Sequence, residues 1–176
     1  MKHILTFAGS NSSDSINKQL AMYAAGLVKE AKVTVLDLND FDLPIYSKDL
    51  EAKKGIPENA KKFHNHIREA EGLVISLAEN NGAYSAVFKN LFDWMSRYEQ
   101  KVFLGKPMLL MATSPGGRGG ASVLAMAKDR FPRHDAKIVA EFSLPLFNDK
   151  FSNGKITDSD FDKTLKEAVQ QFQKEL

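Results

Sequence analysis

No cysteine occurs anywhere in the sequence, which rules out disulfides, thiolate zinc sites and cysteine nucleophiles. Charge of one sign is equally scarce: 24 Lys and Arg stand against 22 Asp and Glu, for a formal net charge of +2. That balance supplies no basic field for nucleic acid or for a membrane surface. No apolar run approaches the roughly 18 residues needed to span a bilayer. The start, Met1-Lys2-His3-Ile4, enters a strand-like run without the layout of a signal peptide. His64 and His66 are two apart and do not share a helix face as a metal pair would. The expectation is a cytoplasmic protein with a small-molecule partner, no nucleic acid, no membrane and no metal.

What is present reads as a globular α/β chain. Hydrophobic residues make up 43% and charged residues 26% of 176, enough for one domain, 1–176, that buries about 70% of its unfolded surface. Apolar runs alternate with helical patterns from end to end, as βαβ units around a parallel sheet require. Five strands are expected: His3 to Ala8, Lys32 to Leu38, Gly72 to Leu77, Pro107 to Thr113 and Lys137 to Ser143. The run Met108-Leu109-Leu110-Met111 leaves no polar face, the mark of a strand buried on both sides. From Ile16, positions Leu20, Tyr23, Ala24, Leu27 and Val28 follow helical spacing. Further helices are expected near Pro57 to Ala70, Ser85 to Tyr98, Gly120 to Phe131 and Ser159 to Lys174. Phe88, Phe92, Trp94, Tyr98 and Phe103 are more aromatics than one sheet-facing stripe buries, so Phe92 and Trp94 are expected at a subunit interface.

Ligands of open α/β sheets sit beyond the carboxyl ends of the strands. Three loops there are rich in Gly, Ser and Asn. The first, Gly9-Ser10-Asn11-Ser12-Ser13-Asp14-Ser15-Ile16-Asn17, runs from a strand into a helix N-terminus and offers backbone N–H groups and hydroxyls to a phosphate. The dipole there contributes only about 0.3 to 1 kcal/mol, so three or four charge-assisted hydrogen bonds at about 1.5 to 3 kcal/mol each must supply the rest. An ordinary turn with Asp14 or Ser15 as helix N-cap fits the same residues. The second loop runs from Leu77 to Tyr84. The third, Ser114-Pro115-Gly116-Gly117-Arg118-Gly119-Gly120, has four glycines in five residues. It lacks the Gly-Lys-Ser/Thr ending of a P-loop and the third glycine of a dinucleotide fingerprint, and it permits close approach of backbone to a flat ligand.

Taken together, the loops resemble those of the NADPH-dependent FMN reductase family of flavodoxin-like proteins, which includes quinone, azo-dye and chromate reductases. Gly9, Ser10, Ser15 and Asn17 match the family's Gly-Ser-x-Arg-x-x-Ser-x-Asn. Glu79, Asn81, Lys89, Asn90, Asp93 and Trp94 match Pro-Glu-Tyr-Asn followed by Leu-Lys-Asn-x-x-Asp-Trp, and Leu43-Pro44-Ile45-Tyr46 matches Leu-Pro-x-Tyr. The resemblance implies a three-layer sandwich with a five-stranded parallel sheet of order 2-1-3-4-5. It implies FMN as cofactor, with NADPH or NADH as co-substrate, a quinone, azo compound, free flavin or metal oxyanion as acceptor, and a homodimer or homotetramer. The chemistry would belong to FMN, with no catalytic side chain. The phosphate would lie on Ser10, Ser15 and Asn17, within a loop that also includes Ser12 and Ile16. The ring would lie against Ala78, Glu79, Asn80 and Asn81 and against Ser114, Pro115, Gly116 and Gly117. Arg118 is placed at the mouth to meet NADPH phosphates or to stand solvated in its loop, and Glu79 to bind a flavin edge or pair with a partner's cation. Lys89, Asn90, Asp93 and Trp94 are read as packing residues. Ser12 stands where the family has arginine, and Ala78 and Asn80 where it has proline and tyrosine. An FMN-binding electron carrier and a flavin-sensing interaction protein are the alternatives; the balanced charge opposes the carrier, which docks on basic partners.

Overall fold

The computed structural model describes residues 1–176. In chain order the elements are β1 (Lys2–Gly9), α1 (Ile16–Gly26), β2 (Ala31–Leu36), a 3-10 turn (Leu38–Asp40), α2 (Lys48–Lys54), α3 (Glu58–Glu69), β3 (Gly72–Leu77), β4 (Glu79–Asn80), β5 (Ala83–Tyr84), α4 (Ala86–Tyr98) and β6 (Pro107–Thr113). They continue with α5 (Ala121–Arg130), a second 3-10 turn (Phe131–His134), β7 (Lys137–Leu144), α6 (Phe147–Lys150), β8 (Phe151–Ser152), β9 (Lys155–Ile156) and α7 (Ser159–Lys174).

Five strands form one parallel sheet of order β2-β1-β3-β6-β7. Counting these five alone, that is 2-1-3-4-5, the flavodoxin-like order expected. The continuous apolar runs take the centre: β3 is buried throughout, and β1 and β6 nearly so. The edge strands β2 and β7 are less buried; β7 alternates from Val139 onward, whereas β2 is partly covered along most of its length. Helices α3, α4 and α5 and the second 3-10 turn cover one face through Phe63, Phe88, Phe92, Val123, Phe131 and neighbours. Helices α1 and α7 cover the other, with Leu20, Ala24, Leu165 and Phe172 against Ile4, Val74 and Leu109. No helix is long and apolar enough to cross a membrane.

Two expectations change. The second strand stops at Leu36, because Asp37 turns its carboxylate onto the Asn39 N–H at 2.9 Å and starts the 3-10 turn. Phe92 and Trp94 are not free for an interface: they are 5% and 0% exposed. Phe92 packs among Phe88, Phe103 and Phe131. Trp94 donates Nε1–H to the Pro44 carbonyl at 2.8 Å, with Tyr46 edge-on against its ring. Asn90 accepts from the Tyr46 N–H at 2.8 Å and donates to the Pro44 carbonyl at 3.0 Å, while Lys89 pairs with Asp93. The string Lys89 to Trp94 therefore packs, as expected, and it anchors the Leu43–Tyr46 segment.

Candidate functional site

At the carboxyl end of the sheet, the chain leaves β1 to one side and β3 to the other, so their loops diverge and open a crevice. A cleft of about 280 Å³ lies there, lined by Ser10, Asn11, Ser12, Asp14, Ser15, Ile16, Asn17, Ala78, Glu79, Asn80, Ser85, Thr113, Ser114 and Pro115. Larger hollows of about 390 and 640 Å³ run along the edge strand β7. Those are surface grooves of ordinary side chains, whereas the cleft gathers most of the residues expected at the site. Asn81, Gly116, Gly117 and Arg118 stand outside its walls. Asn11, Asp14, Ser85 and Thr113 are additions; in the sequence Asp14 reads only as a cap, and Ser85 is signalled by the helical pattern that follows it.

In the first loop Ser15 is the N-cap of α1, its hydroxyl oxygen accepting from the Lys18 N–H at 3.2 Å. That leaves its O–H to donate, so the capping and phosphate readings are compatible. Ser10 Oγ accepts from the Ser12 N–H at 3.2 Å and is likewise free to donate. The backbone N–H groups of Ser13, Asp14, Ile16 and Asn17 have no acceptor within the protein. Four unpaired donors at a helix N-terminus, with the hydroxyls of Ser10, Ser12 and Ser15 around them, fit a phosphate.

The Asn17 side chain does something else. It is 3% exposed. Its Nδ2 donates to the Thr113 carbonyl at 3.1 Å, and its Oδ1 accepts from the Thr113 N–H at 3.0 Å and the Ser76 hydroxyl at 2.6 Å. Those partners fix which end of the amide is oxygen, since Thr113 N–H can only donate. The carboxamide thus clamps α1 to β3 and β6, and the Asn17 backbone N–H is the polar group that stays unpaired.

Glu79, which lines the cleft, is tied into the frame through one of its oxygens. Its Oε2 accepts from the Val123 N–H at 2.9 Å, in the first turn of α5, whose own N-cap Gly120 has no side chain to offer. The carboxylate ties the β4–β5 hairpin to α5. Asn81 and Gly82 turn that hairpin with φ of 51° and 76°, the Asn-Gly type I′ signal that the sequence carried openly. Asn81 sits at its tip, and neither Asn80 nor Asn81 uses its side chain within the protein. Ser85 closes the hairpin, donating Oγ–H to the Gly9 carbonyl at 2.7 Å while capping α4.

The third loop is shaped by Gly119 and Gly120, with φ of 58° and 77°. A Cβ on Gly119 would lie 2.4 Å from Ser143 Oγ and 2.9 Å from the Pro145 nitrogen. The carbonyls of Ser114 and Gly116 accept from the Phe147 and Leu146 N–H groups at 3.1 and 3.0 Å, fastening the loop to the chain after β7. The N–H groups of Gly116, Gly117 and Arg118 stay unpaired and available to a flat, acceptor-rich ligand edge. Arg118 is exposed, with Nη2 donating to Ser122 Oγ at 3.0 Å.

The NADPH-dependent FMN reductase family model matches residues 2–171. The chain belongs to this family. It is an oxidoreductase whose family uses FMN with NAD(P)H as co-substrate. A 2-hydroxy-1,4-benzoquinone reductase of a Burkholderia species is 31% identical over 174 residues, 96% of this chain and 93% of that protein. An NAD(P)H-dependent FMN reductase of Pseudomonas aeruginosa is 33% identical over 119 residues, which span 67% of this chain and 63% of that relative. Among solved structures, the flavoenzyme NAD(P)H:(acceptor) oxidoreductase FerB of Paracoccus denitrificans superposes with a TM-score of 0.78 at 27% identity, covering 99% of this chain and 96% of that one.

Proposed function

We propose that the protein is a reductase that takes hydride from NADPH or NADH and, through FMN held in the cleft, passes reducing equivalents to a small acceptor: a quinone, an azo compound, a free flavin or a metal oxyanion. The observation that carries this reading is the set of four unpaired backbone N–H groups at the α1 N-terminus, placed at the switch point of a flavodoxin-like sheet. When bound, FMN supplies the acceptance of hydride and its onward transfer.

The chain's own residues bind and orient. The N–H groups of Ser13, Asp14, Ile16 and Asn17, with the hydroxyls of Ser10, Ser12 and Ser15, hold the phosphate. Ala78 and Asn80 on one side, and Ser114, Pro115, Gly116 and Gly117 on the other, take the ring. The N–H groups of Gly116 and Gly117 aim at its polar edge, and exposed Arg118 meets the phosphates of NADPH at the rim. Asn17 and Glu79 act through their neighbours by holding the three loops in register. No side chain is required as acid or base.

We further infer a cytoplasmic homodimer or homotetramer. Ile45, 77% exposed on the segment anchored by Asn90 and Trp94, supports a second copy covering that flank.

The test is the visible spectrum of purified protein with FMN, before and after anaerobic NADPH. Bound-flavin bands that bleach, then recover on adding a quinone, are expected. Bound bands that never bleach would leave an electron carrier in place of a reductase.

A further inference from the structure

The cleft that would receive a phosphate contains no cation. Its lining includes Asp14 and Glu79 but no Lys, Arg or His. Glu79 is committed to the Val123 N–H. The Asp14 side chain is exposed and makes no hydrogen bond or ion pair within the protein, while its own backbone N–H is among the unpaired donors of the loop. Cations nearby are spent or elsewhere. Lys18, one turn into α1, is paired with Asp37 at 2.5 Å, and Arg118 lies outside the walls of the cleft.

Neutral donors and the helix dipole therefore face the phosphate together with one uncompensated carboxylate. Neutral N–H and O–H donors favour added charge on the ligand less than a cation does, whereas a fixed negative charge penalises each added charge. A phosphate monoester carries about −1.5 to −2 at pH 7, with its second ionisation near pH 6.

We propose that Asp14 sets the charge selectivity of the site: it disfavours the phosphate dianion relative to the monoanion, so that the cleft takes the phosphate of FMN with less gain from its second charge than a site with a cation would give. The inference rests on the flavin reading of the cleft. It leaves the phosphate held by neutral donors alone, against one fixed negative charge. An ordinary cationic phosphate site would bind more weakly as salt rises. Here added salt screens a repulsion, so affinity for FMN holds or rises.

The experiment measures dissociation constants for FMN and riboflavin by flavin fluorescence, for the natural protein, Asp14→Asn and Ser12→Arg, at 20 and 300 mM salt and from pH 8 to 5.5. Asp14→Asn is expected to tighten FMN about five- to tenfold at low salt and to leave riboflavin unchanged. Ser12→Arg should tighten FMN alone and restore an affinity that falls with salt. In the natural protein FMN should bind more tightly as pH falls through 6, while riboflavin stays flat.

FMN bound equally by the natural protein and Asp14→Asn, or FMN affinity that falls steeply with salt in the natural protein, overturns this inference and leaves the flavin reading intact. Failure of the natural protein and both variants to bind either flavin overturns the flavin reading and this inference with it.

Discussion

Asn17 gives the sharpest separation of frame from ligand. Asn17→Ala removes three hydrogen bonds at once and leaves the Ser76 hydroxyl, the Thr113 N–H and the Thr113 carbonyl without their partner. A buried orphan costs about 1 to 3 kcal/mol. Because Asn17 borders the cleft, water reaches part of the gap, and about 3 kcal/mol for the set is a reasonable expectation. For a chain of this size each kcal/mol moves the melting temperature by about 2 to 4 °C, so a fall of about 6 to 12 °C follows. Asn17→Asp should be worse, since it sets an oxygen against the Thr113 carbonyl. Thermal melts without flavin give the first number, and FMN titration of the folded variant gives the second. The double variant with Ser76→Ala should cost less than the two singles summed, because they share a bond. An Asn17→Ala protein that melts within about 1 °C of the natural one but binds FMN a hundredfold more weakly would refute the clamp and return Asn17 to the phosphate.

Three other outcomes are expected. Gly119→Ala forces a Cβ into Ser143 and the Pro145 backbone at a left-handed φ; it should cost about 3 kcal/mol in a chemical-denaturation curve and weaken FMN as the third loop shifts. Glu79→Ala uncaps α5 and should lower stability by about 1 kcal/mol, with faster hydrogen exchange at the Val123 amide, while Glu79→Gln keeps the acceptor and most of the protection. His64 is fully buried; burial, reinforced by the Arg68 charge, holds its pKa below the usual imidazole value of 6.5. The unfolded chain then binds the extra proton first, so stability should decline as pH drops below about 6.5, and His64→Gln should flatten that part of a stability–pH curve.

The sheet was legible because its central strands are written as unbroken apolar runs. Edges and short elements were less so. Leu38 reads as the seventh residue of a strand until Asp37 is seen bonding to Asn39. Helix α2 buries nothing and so has no apolar period, although Ser47 ahead of it and Gly55 behind it are ordinary start and stop residues. The hairpins at Asn81-Gly82 and Asn153-Gly154 carry the type I′ signal, but strands of two residues give no alternation to confirm it. In the site, loop positions were readable and side-chain directions were not. Whether Asn17 reaches a ligand or Thr113, 96 positions away, depends on the register of β1, β3 and β6, which no local pattern encodes.

That division explains how the chain departs from its family pattern without losing the fold. The bonds that shape the loops come from a few side chains: Asn17 to Ser76 and Thr113, Ser85 to Gly9, Glu79 to Val123 and Ser143 to Gly119. Fixing the loops in this way leaves main-chain N–H groups unpaired and pointing at the cleft, so the binding surface is largely backbone and survives side-chain exchange. Ser12, Ala78 and Asn80 are the positions where the family's arginine, proline and tyrosine are missing. All three line the cleft, and none contributes a side-chain bond to the frame. Exchange there alters charge and aromatic cover around the ligand at almost no structural cost. Ser12, lacking the arginine's charge, leaves Asp14 uncompensated, and the selectivity proposed above is the direct electrostatic consequence.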